Sequence, residues 1–501
     1  MSVLGLDVGT TGCKAIVLGQ SGKILSKANR QYPLITPQPG WVELNSLQVW
    51  EAVLESIAEA VRGAKNDQVK AVSVSAMGDT VTPCDSNLNP IGNSIVAFDT
   101  RNKVEAKFFE EKLSRKRIFE ITGQPAHPTY TITKILWLKN HAPELFAKTA
   151  YYLCYEDFIT AQLCGHAVCS PSSASRTMAF DIHTNSWSQE LLDLCDLEQE
   201  KLATPLASGS VAGKIKKEVA QRTGLSEDVM IVVGGHDQPC GALGCGLFEK
   251  GYALDSTGTV EVLLVTHQKA ILTDEMLAAN ICFWSHVLPA EFCACGQILT
   301  AGAAFRWFRD NFAQTEIETA RAQRKDPYDL ITSAFSSMPS DLLFIPHLSG
   351  SGTPEFTPYA KGAMYGATLQ TSKNDLAKAV LEGINFELKL NIDLLEKAGM
   401  SIDVLRAVGG AANSNVWMQM KADISGKKIE ASQFADQCPL GAALLAGFGI
   451  GMFSNLKEAS LGIQRQFHEY YPNQEQELCY EEKFARYLKF RSSMFDLYTQ
   501  I

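Results

Sequence analysis

The feature that most restricts what this chain can fold into is a hairpin that occurs twice. Val3 to Asp7 and Cys13 to Leu18 read as two short apolar strands joined by a turn made almost wholly of glycine and threonine, Gly9-Thr10-Thr11-Gly12. Tyr252 to Val265 repeats the plan with Ser256-Thr257-Gly258-Thr259 at its centre, and so marks the head of a second half. Turns this small and polar contribute little packing. Gly9 and Gly12 let backbone amides approach a ligand, while Thr10, Thr11 and Lys14 add hydroxyl and ammonium donors, which suits a phosphate. A tight turn without a ligand is the plainer alternative for one copy; two copies can clamp a polyphosphate from both sides of a cleft. Asp7, acceptor-only when ionised, is placed to hold Mg²⁺ or its waters beside such phosphates. A strand follows the turn, where the Walker phosphate loop requires a helix.

The 501 residues suffice for two to four domains with cores of their own. A net charge of −10 argues against nucleic-acid and anionic-membrane partners. No apolar run approaches the ~18 residues of a membrane span, and the first strand begins at Val3, so a cytoplasmic protein is expected. The 13 cysteines are scattered without paired C-x-x-C spacing and read as reduced core thiols, Cys293 and Cys295 sharing one strand face.

Along the chain, residues 23–31 form a third strand, Asn45 or Ser46 caps a helix carrying Val49, Val53, Ile57 and Val61, and residues 69–75 form a buried strand. That strand delivers Ala76-Met77-Gly78-Asp79, an acid at the carboxyl end of a strand, where open α/β sheets bind ligands; an Asx turn is the alternative. Residues 94–98 read as a strand ending in a second acid, Asp99, with Arg101 beside it. The apolar strand 230–234 leads into Gly234-Gly235-His236-Asp237-Gln238, which sets Asp237 where partial burial tunes a general base, with His236 as a competitor. In the second half, a glycine-rich loop spans 348–354, and the strand 403–408 ends in Gly409-Gly410-Ala411-Ala412-Asn413-Ser414, open enough for a flat ring or a phosphate.

From Leu4 to about Gly451 the chain resembles the FGGY carbohydrate kinases, within the sugar kinase, actin and heat-shock chaperone fold group. The resemblance rests on Asp7-Val8-Gly9-Thr10-Thr11, Gly40-Trp41-Val42-Glu43, Lys134-Ile135-Leu136-Trp137, Gly235-His236-Asp237-Gln238, Ser256-Thr257-Gly258-Thr259, the 362–383 region and the 409–423 region, in the family's order. It implies an α/β fold of two ribonuclease-H-like domains, residues 1–246 and 247–501, flanking a deep cleft, with sugar held mainly by the first and ATP mainly by the second. It further implies Asp237 as catalytic base and Asp7 as the magnesium-associated acid. Thr10, Thr11, Lys14, Thr257, Gly258 and Thr259 would meet phosphates, and Gly302, Gly409, Gly410, Ala411 and Asn413 the nucleotide. Ala76, Met77, Asp79, Asp99, Asp237 and Gln238 would line the substrate pocket. The partner implied is a small-molecule sugar, and a homodimer is left open.

The sequence departs from the family where substrate is chosen. Xylulose kinases carry glutamine and histidine, and glycerol kinases arginine and glutamate, where this chain has Met77, Gly78 and Asp79, an acid without the bulky cation. Ala97 and Thr129 stand where glycerol kinases have aromatic side chains. A roomier pocket and an acid at position 79 favour a neutral ketopentose such as xylulose or ribulose; gluconate, glycerol and a deoxyketose remain open. A non-catalytic nucleotide-binding relative and a phosphate-ester hydrolase are the readings of other classes.

Overall fold

A computed structural model describes residues 1–65, 67–432 and 434–498. Two sheets of matching connectivity organise the described residues. In the first, β1 (Ser2–Val8) pairs antiparallel with β2 (Gly12–Gly19) and β2 with β3 (Ile24–Gln31), while β4 (Val69–Ala76) lies parallel on the other side of β1. β5 (Val211–Lys214) and β6 (Met230–His236) complete the order β5-β6-β4-β1-β2-β3, with β6 parallel to β4 and β5 antiparallel at the edge.

The second sheet repeats this. β7 (Gly251–Thr257) and β8 (Glu261–His267) form the second hairpin, β9 (Cys282–Ser285) and β10 (Phe292–Ile298) extend it, and β11 (Ile402–Gly409), β12 (Lys428–Ser432) and β13 (Phe467–Tyr470) follow on the other side. The order is β9-β10-β8-β7-β11-β12-β13, with β7, β11 and β12 parallel. The duplication expected from the two hairpins therefore extends to whole ribonuclease-H-like sheets.

Both faces of each sheet are covered, so the strands read as nearly continuous apolar runs. Leu4, Leu6 and Val8 of β1 enter one core, and Val3 enters another with Ile16, Leu18 and Val232. Each such side chain contributes about 1.5 to 3 kcal/mol by leaving water. The helix α1 (Ser46–Gly63) covers the outer face, with Asn45 as its cap accepting from Gln48 N at 3.0 Å.

Two helices occupy the space between the sheets: α2 (Asp237–Cys245), and α3 (Gln437–Gly449), which comes from the second half yet lies on the first sheet. Their backbones touch. A Cβ built on Gly244 would overlap the Gln437 carbonyl, and one on Gly441 would overlap the Cys240 carbonyl. Cys240 and Leu243 of α2 join the core of the first sheet while Ala242 and Cys245 join that of the second. The sequence reading began this helix at Cys240; it begins at Asp237, because β6 runs on to His236. The expected strand at 94–98 is shorter, Ser94–Ile95, and Asp99 sits in the turn beyond it.

Candidate active site

The carboxyl ends of β1, β4 and β6 meet beside the start of α2. Asp237, the first residue of that helix, stands at the positive end of its dipole. Its Oδ1 is buried without a hydrogen-bond partner among the described residues; His236 Nε2 lies 3.3 Å away but out of alignment. Burial, reinforced by the charge of Asp7, pushes the Asp237 carboxyl up to about 7. A carboxyl held there can take a hydroxyl proton at neutral pH. His236 does not compete, since burial and then the Arg176 charge hold its imidazole neutral and weakly basic. Asp7 Oδ1 accepts from Ser75 Oγ at 3.0 Å, and burial raises this carboxyl to about 6.

Beyond Asp237, β4 runs into Ala76 and Met77, both buried, which form wall; Met77 N donates to Val8 O at 3.0 Å. Asp79 adopts φ 62°, a conformation an aspartate tolerates, and is buried. Its Oδ2 accepts from Arg176 Nη2 at 3.1 Å. Arg176 Nη1 donates to Gln124 Oε1 at 3.1 Å, and that oxygen also accepts from Tyr130 Oη at 2.8 Å. The guanidinium lies 4.8 Å from the Trp284 ring centre. Residue 78 is glycine because this group fills its space: a Cβ there would stand 2.6 Å from His236 Cδ2 and 3.2 Å from Arg176 Cγ.

Arg176 corrects the sequence reading of this pocket. The cation missing at position 78 is supplied from a short turn, Ser175–Thr177, and Asp79 does not carry an uncompensated charge. Asp99 is also reassigned. Its Oδ2 accepts from Val42 N at 2.6 Å, both its oxygens accept from Arg101, and it is only 1 % exposed, so neither oxygen is free for a sugar. Arg101 lies over Trp41 and beside Trp137, which explains two motifs of the sequence as one buried support. Lys134 Nζ is occupied in the same way, donating to the carbonyls of Asp79 at 2.8 Å and of Thr129. Gln238 is half-buried next to Asp237.

Five buried polar atoms around this pocket have no partner among the described residues: Asp79 Oδ1, Arg176 Nε, His236 Nδ1, Asp237 Oδ1 and Trp284 Nε1. Leaving such groups unpaired costs about 1 to 3 kcal/mol each. They form a template of two carboxylate acceptors, two donors and an imidazole nitrogen that serves either way.

The residues expected to hold a nucleotide also converge, although not every side chain points as expected. Gly258 N donates to Val260 O at 2.8 Å to close the second turn, and Gly302 N, at the start of α-helix Gly302–Phe312, donates to Gly258 O at 3.1 Å. Thr257 is the register partner of Gly409, whose φ of 91° and contact with the Thr257 carbonyl admit no side chain. Gly410 faces open space, Ala411 is buried, and Asn413 Nδ2 donates to Gly410 O at 3.3 Å. Thr259 Oγ1 accepts from Arg306 Nη2 at 3.3 Å, which brings to this turn a cation that the sequence reading missed.

Two expected phosphate contacts are turned elsewhere. The Thr257 hydroxyl is buried in an ion cluster with Asp255, Glu261 and Lys421, and Lys14 Nζ donates to Ala435 O at 3.1 Å, with Asp436 Oδ1 at 3.5 Å. The Thr10 and Thr11 hydroxyls in the first turn have no partner among the described residues. The glycine-rich loop at 348–354 leads to Phe356, which meets His127 of the first half edge-on at 5.6 Å. Among the described residues no three His, Cys, Asp or Glu side chains are grouped to hold a metal ion by themselves, and no helix is long and apolar enough to cross a membrane.

Comparison with known proteins bears on the family and the fold. The N-terminal domain of the FGGY family of carbohydrate kinases matches residues 2–244 and the C-terminal domain residues 253–450. A xylulose kinase of Bacillus subtilis (strain 168) is 28% identical over 504 residues, covering 100% of this chain and 98% of that protein. A gluconokinase of Bacillus licheniformis is 27% identical, covering 100% and 97%. The crystal structure of ligand-bound xylulose kinase from Lactobacillus acidophilus superposes with a TM-score of 0.91 at 25% identity, covering 100% of this chain and 99% of that one.

Proposed function

The chain belongs to the FGGY family of carbohydrate kinases, and from that premise we propose that it transfers the γ-phosphoryl group of ATP to a terminal hydroxyl of a neutral ketopentose such as xylulose or ribulose. The observation that carries this reading is the set of five unpartnered buried polar atoms gathered around Asp79, Arg176 and Asp237 and mixed in donors and acceptors, which suits several hydroxyls of a linear sugar. Neutrality is favoured by the pairing of Arg176 with Asp79: a substrate carboxylate would meet a cation already offset by an acid, whereas a neutral hydroxyl can use the free Arg176 Nε–H and Asp79 Oδ1 together.

In the proposed reaction Asp237 accepts the proton of the attacking hydroxyl as the new oxygen–phosphorus bond forms and the bond from Pγ to ADP breaks. Thr10 and Thr11 from the first turn, and the Thr259 amide with Arg306 from the second, hold the phosphates, while Gly302 and Gly409 to Asn413 take the nucleoside. Mg²⁺ fits Asp7. That carboxylate has one side-chain donor among the described residues, Ser75, and stands beside the negative charge of Asp237, while Asp436 is offset by Lys14 and Lys27, so a divalent ion would relieve the Asp7–Asp237 repulsion. Bound there with phosphate oxygens, Mg²⁺ would neutralise charge on the transferring group. The division of the domains at 246/247 falls between the two matched segments.

The test is coupled ADP release over a panel of ketoses, polyols and aldonates. A ketopentose with the highest kcat/KM supports the proposal. Gluconate, glycerol or a deoxyketose ranking first overturns the substrate assignment, and ADP release that no sugar accelerates overturns sugar kinase activity in favour of a binding or hydrolytic protein.

A further inference from the structure

Lys421 lies on α-helix Asn415–Ser425, directly after the Gly409–Asn413 segment, and its side chain is fully buried. Nζ donates to Asp255, to Glu261 Oε1 at 2.6 Å and to Thr257 Oγ1 at 3.0 Å. Asp255 and Thr257 are two apart on β7, and Glu261 is the register partner of Thr257, so all three share one face of the hairpin immediately beneath the turn at Gly258. Two carboxyl groups and one ammonium are thus enclosed behind the turn that the function proposed above assigns to ATP phosphates. Glu261 Oε2 is left without a partner. An ion cluster of this kind is a costly way to pack a hairpin, since apolar residues of similar volume would do as well or better, so its presence calls for a use.

We propose that Lys421 is an electrostatic positioning residue for ATP: it cancels the carboxylate charge behind the second turn, which without it would oppose the incoming polyphosphate. Lys421 touches neither sugar nor phosphate. Its effect is confined to nucleotide affinity, because the sugar pocket is built from the first sheet, Arg176 and Trp284. The cluster sets two acids against a single base, and burial raises the Glu261 carboxyl to about 8, so Glu261→Gln takes little charge from it, whereas removing Lys421 strands the Asp255 carboxylate without a cation.

The experiment measures ADP affinity by isothermal titration, and KM for ATP and for sugar, in four variants. Lys421→Met is expected to weaken ADP and raise KM for ATP tenfold or more with KM for sugar within twofold. Glu261→Gln, which keeps the Lys421–Asp255 pair, is expected to leave ADP affinity unchanged or up to threefold tighter. The triple variant Asp255→Asn, Glu261→Gln, Lys421→Met is expected to regain at least half of the lost affinity on a logarithmic scale. A purely structural tie would not be rescued, since the triple variant lacks it too. Unchanged ATP parameters in folded Lys421→Met, an equal loss in both substrates, no rescue, or weaker ADP in Glu261→Gln each overturns the proposal; the last decides even if Lys421→Met does not fold. Arg306→Met is run beside them. If it leaves ADP affinity unchanged, the assignment of this turn to phosphate fails; if it weakens ADP while Lys421→Met does not, only the role of Lys421 fails.

Discussion

Replacing Arg176 by methionine tests the sugar pocket most directly. The guanidinium and Asp79 are separated by 3.1 Å with side chains 6% and 9% exposed, so water screens the pair poorly. At an effective dielectric of about 20 their attraction is about 5 kcal/mol, part of which offsets the desolvation of both charges. Truncating one partner leaves the other buried and unpaired, a loss of about 3 to 5 kcal/mol in comparable cases. If most of it falls on the sugar complex, kcat/KM for the sugar drops by roughly 10²- to 10³-fold while KM for ATP stays within threefold. A double-mutant cycle separates the pair from the packing of Arg176 over Trp284. Asp79→Asn in the Arg176→Met background removes the stranded carboxylate, so the two losses are not additive, with a coupling of about 2 kcal/mol, roughly 30-fold in kcat/KM. The assay is steady-state ADP release at saturating ATP. Additive losses, or Arg176→Met within threefold of the parent for its sugar, would refute the claim that Asp79 is presented to substrate as half of an ion pair.

Asp237→Asn is expected to lower kcat by roughly 10²-fold or more with ADP affinity nearly intact, measured by steady-state kinetics and titration; near-normal turnover removes Asp237 as the base. Since Asp237 acts ionised and is held at about 7, kcat/KM for sugar in the pH profile is expected to fall below that point. Asp7→Asn, by removing a like charge, moves the acid limb lower, and a limb that stays or moves higher counts against their coupling. The same shifts fix the sign of these two groups' contribution to stability: the folded carboxyls of Asp7 and Asp237, at about 6 and about 7, keep protons that the unfolded chain, near 3.8, has lost. That contribution declines as pH rises from about 4 to 7, so Asp7→Asn and Asp237→Asn should gain stability relative to the parent over this range, which chemical denaturation of parent and variants at several pH values checks. Small-angle scattering with sugar and a non-hydrolysable nucleotide should show compaction of the two domains, and an unchanged radius of gyration argues against closure.

The parts of this molecule legible in sequence were those set by local pattern. Short apolar strands flanking the Gly9–Gly12 and Gly258 turns marked both hairpins, and an acid after a fully apolar strand singled out Asp237. What escaped depends on contacts between distant segments. Arg176 lies in a run of serines and alanines that reads as a plain turn, and nothing near it announces Asp79; the local trace is Gly78, whose missing side chain leaves room for the His236 ring and, less closely, for Arg176. Thr257 looks the same in sequence whether its hydroxyl meets a phosphate or an ion cluster. The available sign was Glu261, an acid inside an otherwise apolar strand, which must find a cation once buried. For Asp99 the sign was Arg101 two residues on, sufficient to engage both its oxygens.

The bare-backbone crossing of α2 and α3 limits how the two halves can travel relative to one another. Carbonyls seated where side chains would otherwise stand leave no compliant layer to shear, so the pair resists being drawn apart or pushed closer and yields most easily to rotation about the contact itself. Such a joint works as a pivot bearing: displacement is least at the crossing and grows with distance from it. Asp237, on the first turn of α2, is carried close to that axis, while Phe356 and the Gly410 turn ride on the swinging side. The base would then keep nearly the same position as the jaws open to exchange ligands, and each turnover would begin without having to find it again.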